Sequence, residues 1–133
     1  MAEELLKKSL RSGIVILVAE REAVSRSSLS ELLRDEGYQV LEATDRASAI
    51  NHIDNHTSLR VILTDLGIPG WDSIIRHAQT VLPDAFILCM VAPLFLVDVA
   101  EAQRLGACAY FLKPLDFLDM HQAIQSLLVT TPR

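Results

Sequence analysis

Charged side chains placed directly after three short apolar runs have the clearest potential for chemistry in this 133-residue sequence. Residues Glu20 to Glu22 follow the first run, Asp65 follows a run in the middle of the chain, and Lys113 follows the last. If the fold brings them together, their opposite charges can share one site. Taken singly, each has a simpler explanation: a polar strand exit, a turn cap and a solvated loop cation. The functional interpretation therefore depends on the elements that position them.

Five short apolar runs, rich in β-branched and aromatic residues, predict five strands. The runs are Ile14–Ala19, Tyr38–Leu41, Arg60–Thr64, Phe86–Val91 and Ala109–Leu112. Most are continuous rather than alternating, as expected when helices cover both faces of a sheet. Each connection is long enough for a crossover helix, so the sheet should be parallel. The sequence thus predicts an α/β domain with a doubly wound five-stranded parallel sheet, (βα)5.

Apolar periodicity in the connections predicts five helices. They lie before Gly37, after Asp45, after Asp72, before Gly106 and after Asp116. We expect one domain over residues 13–130, because no repeat or Pro/Gly-rich linker divides this series. Residues 1–12 are expected to be a tail or a short helix, and residues 131–133 a tail.

Composition limits the partners of this domain. A net charge of −5 argues against direct binding of nucleic acid. The first residues contain no long apolar stretch, so we expect neither a membrane anchor nor a signal peptide and predict a cytoplasmic location. Cys89 and Cys108 have apolar neighbours and no metal-type spacing, so both are predicted to be buried reduced thiols.

A doubly wound sheet places its functional loops at the carboxyl ends of its strands, where they converge at a topological switch point. Glu20, Asp65 and Lys113 all follow predicted strands at this end of the sheet. Their convergence there favours a functional cluster over three unrelated surface charges.

Two motifs resemble those of the receiver domains of two-component response regulators, and the resemblance covers nearly the whole chain. They are DLGIPGWD at residues 65–72 and GACAYFLKP at residues 106–114. The resemblance implies a flavodoxin-like fold, with Asp65 at the phosphoacceptor position and Lys113 as the phosphate-contacting lysine. It also implies that Tyr110 is the switch aromatic and that the peptide bond before Pro114 is cis.

Magnesium normally offsets the negative charges that meet when a receiver aspartate attacks a phosphoryl donor. By resemblance its ligands here would be Glu20, Asp65 and the carbonyl of Gly67, with waters. The family's second acidic position is Arg21, and a guanidinium cannot coordinate a cation. We therefore expect Mg²⁺ binding to be weak or absent.

Charge at the site depends on where Arg21 lies. Three carboxylates and one lysine would sum to −2, whereas Glu20, Arg21, Asp65 and Lys113 sum to zero. If Arg21 approached Asp65 to about 4 Å, their attraction would be of order 4 kcal/mol at an effective dielectric constant near 20. Alternatively, Arg21 turns into solvent and leaves a metal-poor site with no replacement cation. The sequence leaves both arrangements open.

The end of the fourth predicted strand carries a second departure. By resemblance Val91 occupies the position of the switch Ser/Thr and is followed by the usual small residue, Ala92. Valine has no hydroxyl to donate to a phosphoryl oxygen. We therefore expect coupling between this position and Tyr110 to be weak or absent.

The function predicted from these features is an atypical receiver that biases partner contacts rather than catalysing a reaction. Expected partners are a histidine kinase or other signalling protein, an effector domain in a longer natural chain, and a second copy in a weak homodimer. Residues 94–105 and 117–128 resemble the receiver interaction face, with Leu94 and Phe95 as its extra apolar residues. The alternatives are a conventional receiver phosphorylated on Asp65 by a histidine kinase and, in another class, a small flavodoxin-like enzyme or nucleotide binder.

Overall fold

Residues 1–129 are described by a computed structural model, and the predicted tail at residues 131–133 lies outside them. The strands are β1 (Val15–Ala19), β2 (Gln39–Ala43), β3 (Leu59–Asp65), β4 (Phe86–Val91) and β5 (Ala109–Leu112). The helices are α1 (Ala2–Arg11), α2 (Ala23–Asp35), α3 (Arg46–Asn55), α4 (Trp71–Val81), α5 (Val99–Leu105) and α6 (Phe117–Leu128). A 3₁₀ helix, Pro93–Asp98, leads into α5.

The five strands form one parallel sheet in the order β2-β1-β3-β4-β5, which confirms the predicted fold class. The interior strand β1 is buried along its whole length, because helices cover both faces of the sheet. One apolar cluster, on the side of α3, α4 and α5, includes Leu17 and Ile62. The other, on the side of α2 and α6, includes Ile16 and Leu63.

Helix α1 lies outside this βα series, and its residues were expected to be a tail or a short helix. Arg11 anchors its end, since one guanidinium nitrogen donates to the carbonyl and to the carboxylate of Glu36 at 3.0 and 2.9 Å. The backbone of α1 also approaches Gly37 closely, because a Cβ at that position would stand 2.4 Å from the carbonyl oxygen of Lys8. Residues 1–12 therefore include an ordered helix.

Several boundaries differ from the sequence prediction. Helix α4 begins at Trp71, and its N-cap is Gly70, so Asp72 lies in the first turn rather than before it. Strand β2 ends at Ala43 instead of position 41. The prediction that Cys108 is buried is wrong, whereas Cys89 is buried. Residue 108 directly precedes β5, whose edge position leaves alternate side chains exposed.

Candidate functional site

Glu20 is held at the exit of β1, where the residue is 1% exposed. Its backbone amide donates to the carbonyl of Ala43 at 3.0 Å, which extends the β1–β2 pairing by one residue. Its Oε2 accepts the amide of Glu22 at 3.1 Å, closing the turn into α2. The second interaction turns one carboxylate oxygen toward the loop and leaves the other for the site.

Asp65 is the last residue of β3 and is 4% exposed. The amide of Gly67 donates to its Oδ1 at 2.8 Å. A Cβ at position 67 would lie 3.2 Å from each of the two carboxylate oxygens of Asp65. A larger residue would therefore crowd the carboxylate, and glycine leaves the room above it free.

Lys113 completes the cluster from the exit of β5. Its amide donates to the carbonyl of Val91 at 2.9 Å, and the bond to Pro114 is cis, as the resemblance implied. Its Nζ lies 2.5 Å from Oε1 of Glu20 and 3.3 Å from Oδ1 of Asp65. The structure thus brings together the three charged residues that the sequence placed at separate strand ends.

Burial and charge shift the protonation equilibria of this cluster. Burial raises the pKa of Glu20, and Asp65 adds to the rise, while the hydrogen bonds from Lys113 and from Glu22 oppose it. Burial alone would lower the pKa of Lys113, but the hydrogen bond to Glu20 and the two carboxylate charges raise it above its ordinary value. The lysine is therefore held charged, as the cation of the site.

Arg21 does not take part in this cluster. Glu20 is buried, whereas Arg21, in the bend that leads into α2, is exposed. Within residues 1–129, the guanidinium of Arg21 forms no ion pair, so the solvent-exposed alternative is the observed one. Without Arg21, the charges of Glu20, Asp65 and Lys113 sum to −1 rather than to zero.

The donor set does not fit an ordinary Mg²⁺ site. Glu20 and Asp65 provide carboxylates and Gly67 a carbonyl, but the third carboxylate is missing at Arg21. Across residues 1–129, no three His, Cys, Asp or Glu side chains are grouped as a metal site would require. One Glu20 oxygen is bonded to Lys113 and the other to an amide. A cation would have to displace these bonds.

The two residues assigned to the switch, Val91 and Tyr110, differ in how far they are buried. Val91 ends β4 and is fully buried, whereas Tyr110 on the edge strand β5 is 43% exposed. In the sheet register Val91 lies beside Leu112, and Tyr110 beside Cys89. Ala92 is the first residue after β4, and Pro114 is the second residue after β5. Val91 therefore contributes its backbone carbonyl to the Lys113 segment and no polar side-chain atom.

Arg26 is a site residue that the sequence analysis missed. It lies in the first turns of α2, and one guanidinium nitrogen donates to the carbonyls of Glu20 at 2.9 Å and Arg21 at 3.4 Å. These bonds fix the backbone that carries Glu20. An arginine seven residues after a strand end gives no signal by itself, because a helix can turn such a side chain to either side.

Comparisons with known proteins agree with the geometry. Residues 16–125 match the family described as "Response regulator receiver domain". The chain is 32% identical over 112 residues to the transcriptional regulatory protein PdtaR of Mycobacterium tuberculosis, covering 83% of this chain and 54% of that protein. It is 27% identical over 115 residues to sporulation initiation phosphotransferase F of Bacillus subtilis, covering 85% and 92%. The chain thus spans about half the length of PdtaR.

Solved structures share the fold. A response regulator receiver domain protein from Clostridium thermocellum superposes with a TM-score of 0.80 at 24% identity, covering 86% of this chain and 94% of that one. The receiver domain of NtrX from Brucella abortus gives 0.79 at 22% identity, with coverage of 87% and 99%. Among residues 1–129, no helix has the length and apolar character needed to cross a membrane.

Proposed function

This chain belongs to the response regulator receiver domain family, and from that membership we propose that it is an atypical receiver whose phosphorylation at Asp65 is weakened or absent. As a two-component receiver domain it has a signalling role. Its site consists of one lysine and two carboxylates, and the neighbouring arginine is exposed.

The observation that carries the proposal is the bond between Lys113 and Glu20 at 2.5 Å. In the ground state the lysine is already engaged with Glu20, and the position from which the family supplies a third carboxylate is Arg21. A phosphoryl donor approaching Asp65 would meet a site of net charge −1. The site lacks a metal ligand at position 21 and a hydroxyl at position 91. Each deficit weakens stabilisation of the transferred group.

Intact-mass analysis after treatment with acetyl phosphate tests this proposal. We expect little or no addition of one phosphoryl group, with or without Mg²⁺, and none in Asp65→Asn. The competing function is a conventional receiver phosphorylated on Asp65 by a histidine kinase, which the contact between Lys113 and Asp65 favours. Mg²⁺-dependent addition that disappears in Asp65→Asn would establish that function and overturn ours.

The proposed output is protein contact rather than turnover. We propose a histidine kinase or another signalling protein as the partner, and an effector domain in a longer natural chain, since PdtaR is about twice the matched length. Family membership supports a cytoplasmic location. The net charge of −5 supports contact with proteins rather than directly with nucleic acid or a membrane surface.

The surface proposed for these contacts is the α5–β5–α6 face, made of residues 94–105, 109–112 and 117–128. Leu94 and Val97 are 79% and 85% exposed there, while Phe95, expected to be a surface residue, is half-buried against the core. Tyr110, Leu112 and Leu118 are also exposed. We propose that this apolar surface binds partners and supports a weak homodimer.

A further inference from the structure

Helix α1 is anchored to the domain by Arg11 at its C-terminal end. Arg11 is buried, whereas residues 1–10 are exposed. Its guanidinium carbon lies 5.6 Å from the centre of the Tyr38 ring, and one of its nitrogens pairs with the carboxylate of Glu36 at 2.9 Å. A helix of ten residues is marginal in water when nothing packs against it. The order of α1 therefore depends on the contacts that hold Arg11.

Tyr38 connects Arg11 to a buried histidine on α6. Its hydroxyl oxygen lies 2.8 Å from Nε2 of His121, and the two rings meet edge to face with their centroids 5.4 Å apart. Phe117, one turn earlier on α6, stacks on the imidazole at a centroid distance of 5.4 Å. Tyr38 and His121 are 4% and 5% exposed. The guanidinium, the phenol and the imidazole thus form one cluster that joins α1 to α6.

A proton on His121 would work against this cluster. Among residues 1–129, the charged or titratable groups that act on the imidazole are Arg11 on α1, Glu36 after α2 and Tyr38 before β2. A neutral ring can accept the Tyr38 hydroxyl at Nε2, whereas a protonated ring can only donate, so the phenol would lose its acceptor. The new charge would also stand close to the Arg11 cation, and the Glu36 carboxylate that could offset it is already paired with Arg11. Release of Arg11 removes the repulsion and frees Glu36.

We propose that protonation of His121 releases α1, because the neutral imidazole holds Tyr38 beneath Arg11 and the imidazolium displaces that anchor. Burial lowers the pKa of His121, and Arg11 lowers it further, while Glu36 opposes both. Docking of α1 is therefore complete above the ordinary value of 6.5 and weakens as the pH falls from there through the lowered pKa. Tyr38 precedes β2 at the amino ends of the strands, whereas Asp65 ends β3, so the proposal stands whether or not Asp65 accepts phosphate.

Hydrogen exchange of the α1 amides tests the release. After correction for the intrinsic effect of pH on exchange, we expect protection in the parent to fall at least about tenfold between about pH 8 and about pH 5. His121→Gln keeps a side chain that can accept from Tyr38 but cannot take up a proton, so its α1 should stay protected. His56→Gln, at the C-terminal cap of α3, is the matched control and should respond like the parent. Protection of the parent that does not change with pH, or an equal loss in His121→Gln, overturns the proposal.

NMR titration of the His121 imidazole tests the coupling without replacing the histidine. Proton binding and helix docking are linked, so a substitution that undocks α1 must raise the pKa of His121. We expect Arg11→Met to raise that pKa toward 6.5 and to leave the α1 amides unprotected at every pH. Lys8→Met, which removes an exposed cation of the same helix, should change neither. An equal pKa in the parent and in Arg11→Met, or an α1 that stays protected in Arg11→Met, overturns the proposal.

Discussion

Lys113 donates to Glu20 across 2.5 Å, so the cation that follows β5 is held by the carboxylate that follows β1. Asp65 is the second neighbour of the ammonium, at 3.3 Å. The lysine bridges two buried acids, and neither acid has another cationic side chain paired with it within residues 1–129. The site is thus a closed ion-pair cluster in which Lys113 performs part of the charge compensation that a metal would otherwise supply.

The backbone carrying Glu20 depends on Arg26. We expect Arg26→Met to lower the free energy of unfolding by about 1–2 kcal/mol, because the carbonyls of Glu20 and Arg21 lose a charged donor. Arg21→Met is the matched control, since Arg21 is exposed and forms no ion pair within residues 1–129, and should change stability by less than about 0.5 kcal/mol. Urea unfolding measures both. Equal losses would show that Arg26 has no special role in the loop.

Protonation of Glu20 should be visible as a dependence of stability on pH. Its pKa is raised above the ordinary value of 4.5, chiefly by burial, so the folded state binds the proton more tightly than the unfolded state. The resulting stabilisation is complete below pH 4.5 and is lost as the pH rises through the folded pKa. Glu20→Gln removes this loss.

We therefore expect the stability of Glu20→Gln relative to the parent to increase from about pH 4 to about pH 7. Glutamine keeps an oxygen that can accept the Glu22 amide, so the turn into α2 is preserved. Glu31→Gln, at an exposed position on α2, provides the control. Urea unfolding at a series of pH values measures the difference. A constant difference across that range would contradict the raised pKa.

The strands and the site cluster were predictable because their signals are local. Continuous apolar runs identified all five strands, and the parallel sheet then required Glu20, Asp65 and Lys113 to meet at one edge. The sequence did not determine whether Arg21 lies in the site or in solvent. Arg21 lies in the bend between β1 and α2, outside the strand, so the periodicity of the strand gives no signal for its exposure.

The other features that the sequence did not predict depend on contacts between elements that are distant in the chain. Arg26 binds the β1–α2 loop only because α2 packs at one particular rotation. Cys108 has apolar neighbours, yet it precedes an edge strand with one open side. Helix α1 has a strong amphipathic pattern, but nothing in that pattern shows that Arg11 would be its anchor.

We predict that Mg²⁺ binds only weakly at the site of Glu20 and Asp65. Trp71 is the single tryptophan and begins α4, at the end of the loop that starts with Asp65. We expect no saturable change in its fluorescence at low-millimolar MgCl₂, because the site offers two carboxylates and one is bonded to Lys113. Arg21→Asp should introduce a saturable change that Asp65→Asn removes. Tight quenching in the parent, abolished by Asp65→Asn, would contradict the prediction.

The α5–β5–α6 face is expected to contribute to weak self-association. We expect Leu94→Glu/Val97→Glu to reduce weak self-association at high protein concentration, because it places charges on the two most exposed apolar residues of the 3₁₀ helix. Thr80→Glu, at an exposed position of α4, is the control. Sedimentation equilibrium measures the effect. Unchanged association in the leucine–valine variant would remove the support for a homodimer through this face.

Arg21→Asp combined with Val91→Thr should increase Mg²⁺-dependent phosphorylation of Asp65 more than either substitution alone. Arg21→Asp adds a carboxylate at the exit of β1, and Val91→Thr adds a hydroxyl at the end of β4. The first restores a metal ligand and the second a donor for the transferred phosphoryl group. Because both act on one transition state, their effects need not add, and the four proteins of a double-mutant cycle are required.

Arg21→Asp is also expected to lower the stability of the fold in the absence of Mg²⁺. Arg21 has no ion pair with Asp65 to lose, so any destabilisation by Arg21→Asp arises from a third carboxylate beside Glu20 and Asp65. Mg²⁺ should recover part of that loss by binding the native state selectively, whereas the parent should show no comparable stabilisation. Thermal unfolding with and without MgCl₂ measures this, and intact mass after acetyl phosphate measures phosphorylation. If the parent is phosphorylated as efficiently as the double variant, with the same dependence on Mg²⁺, then Arg21 and Val91 do not disable the site.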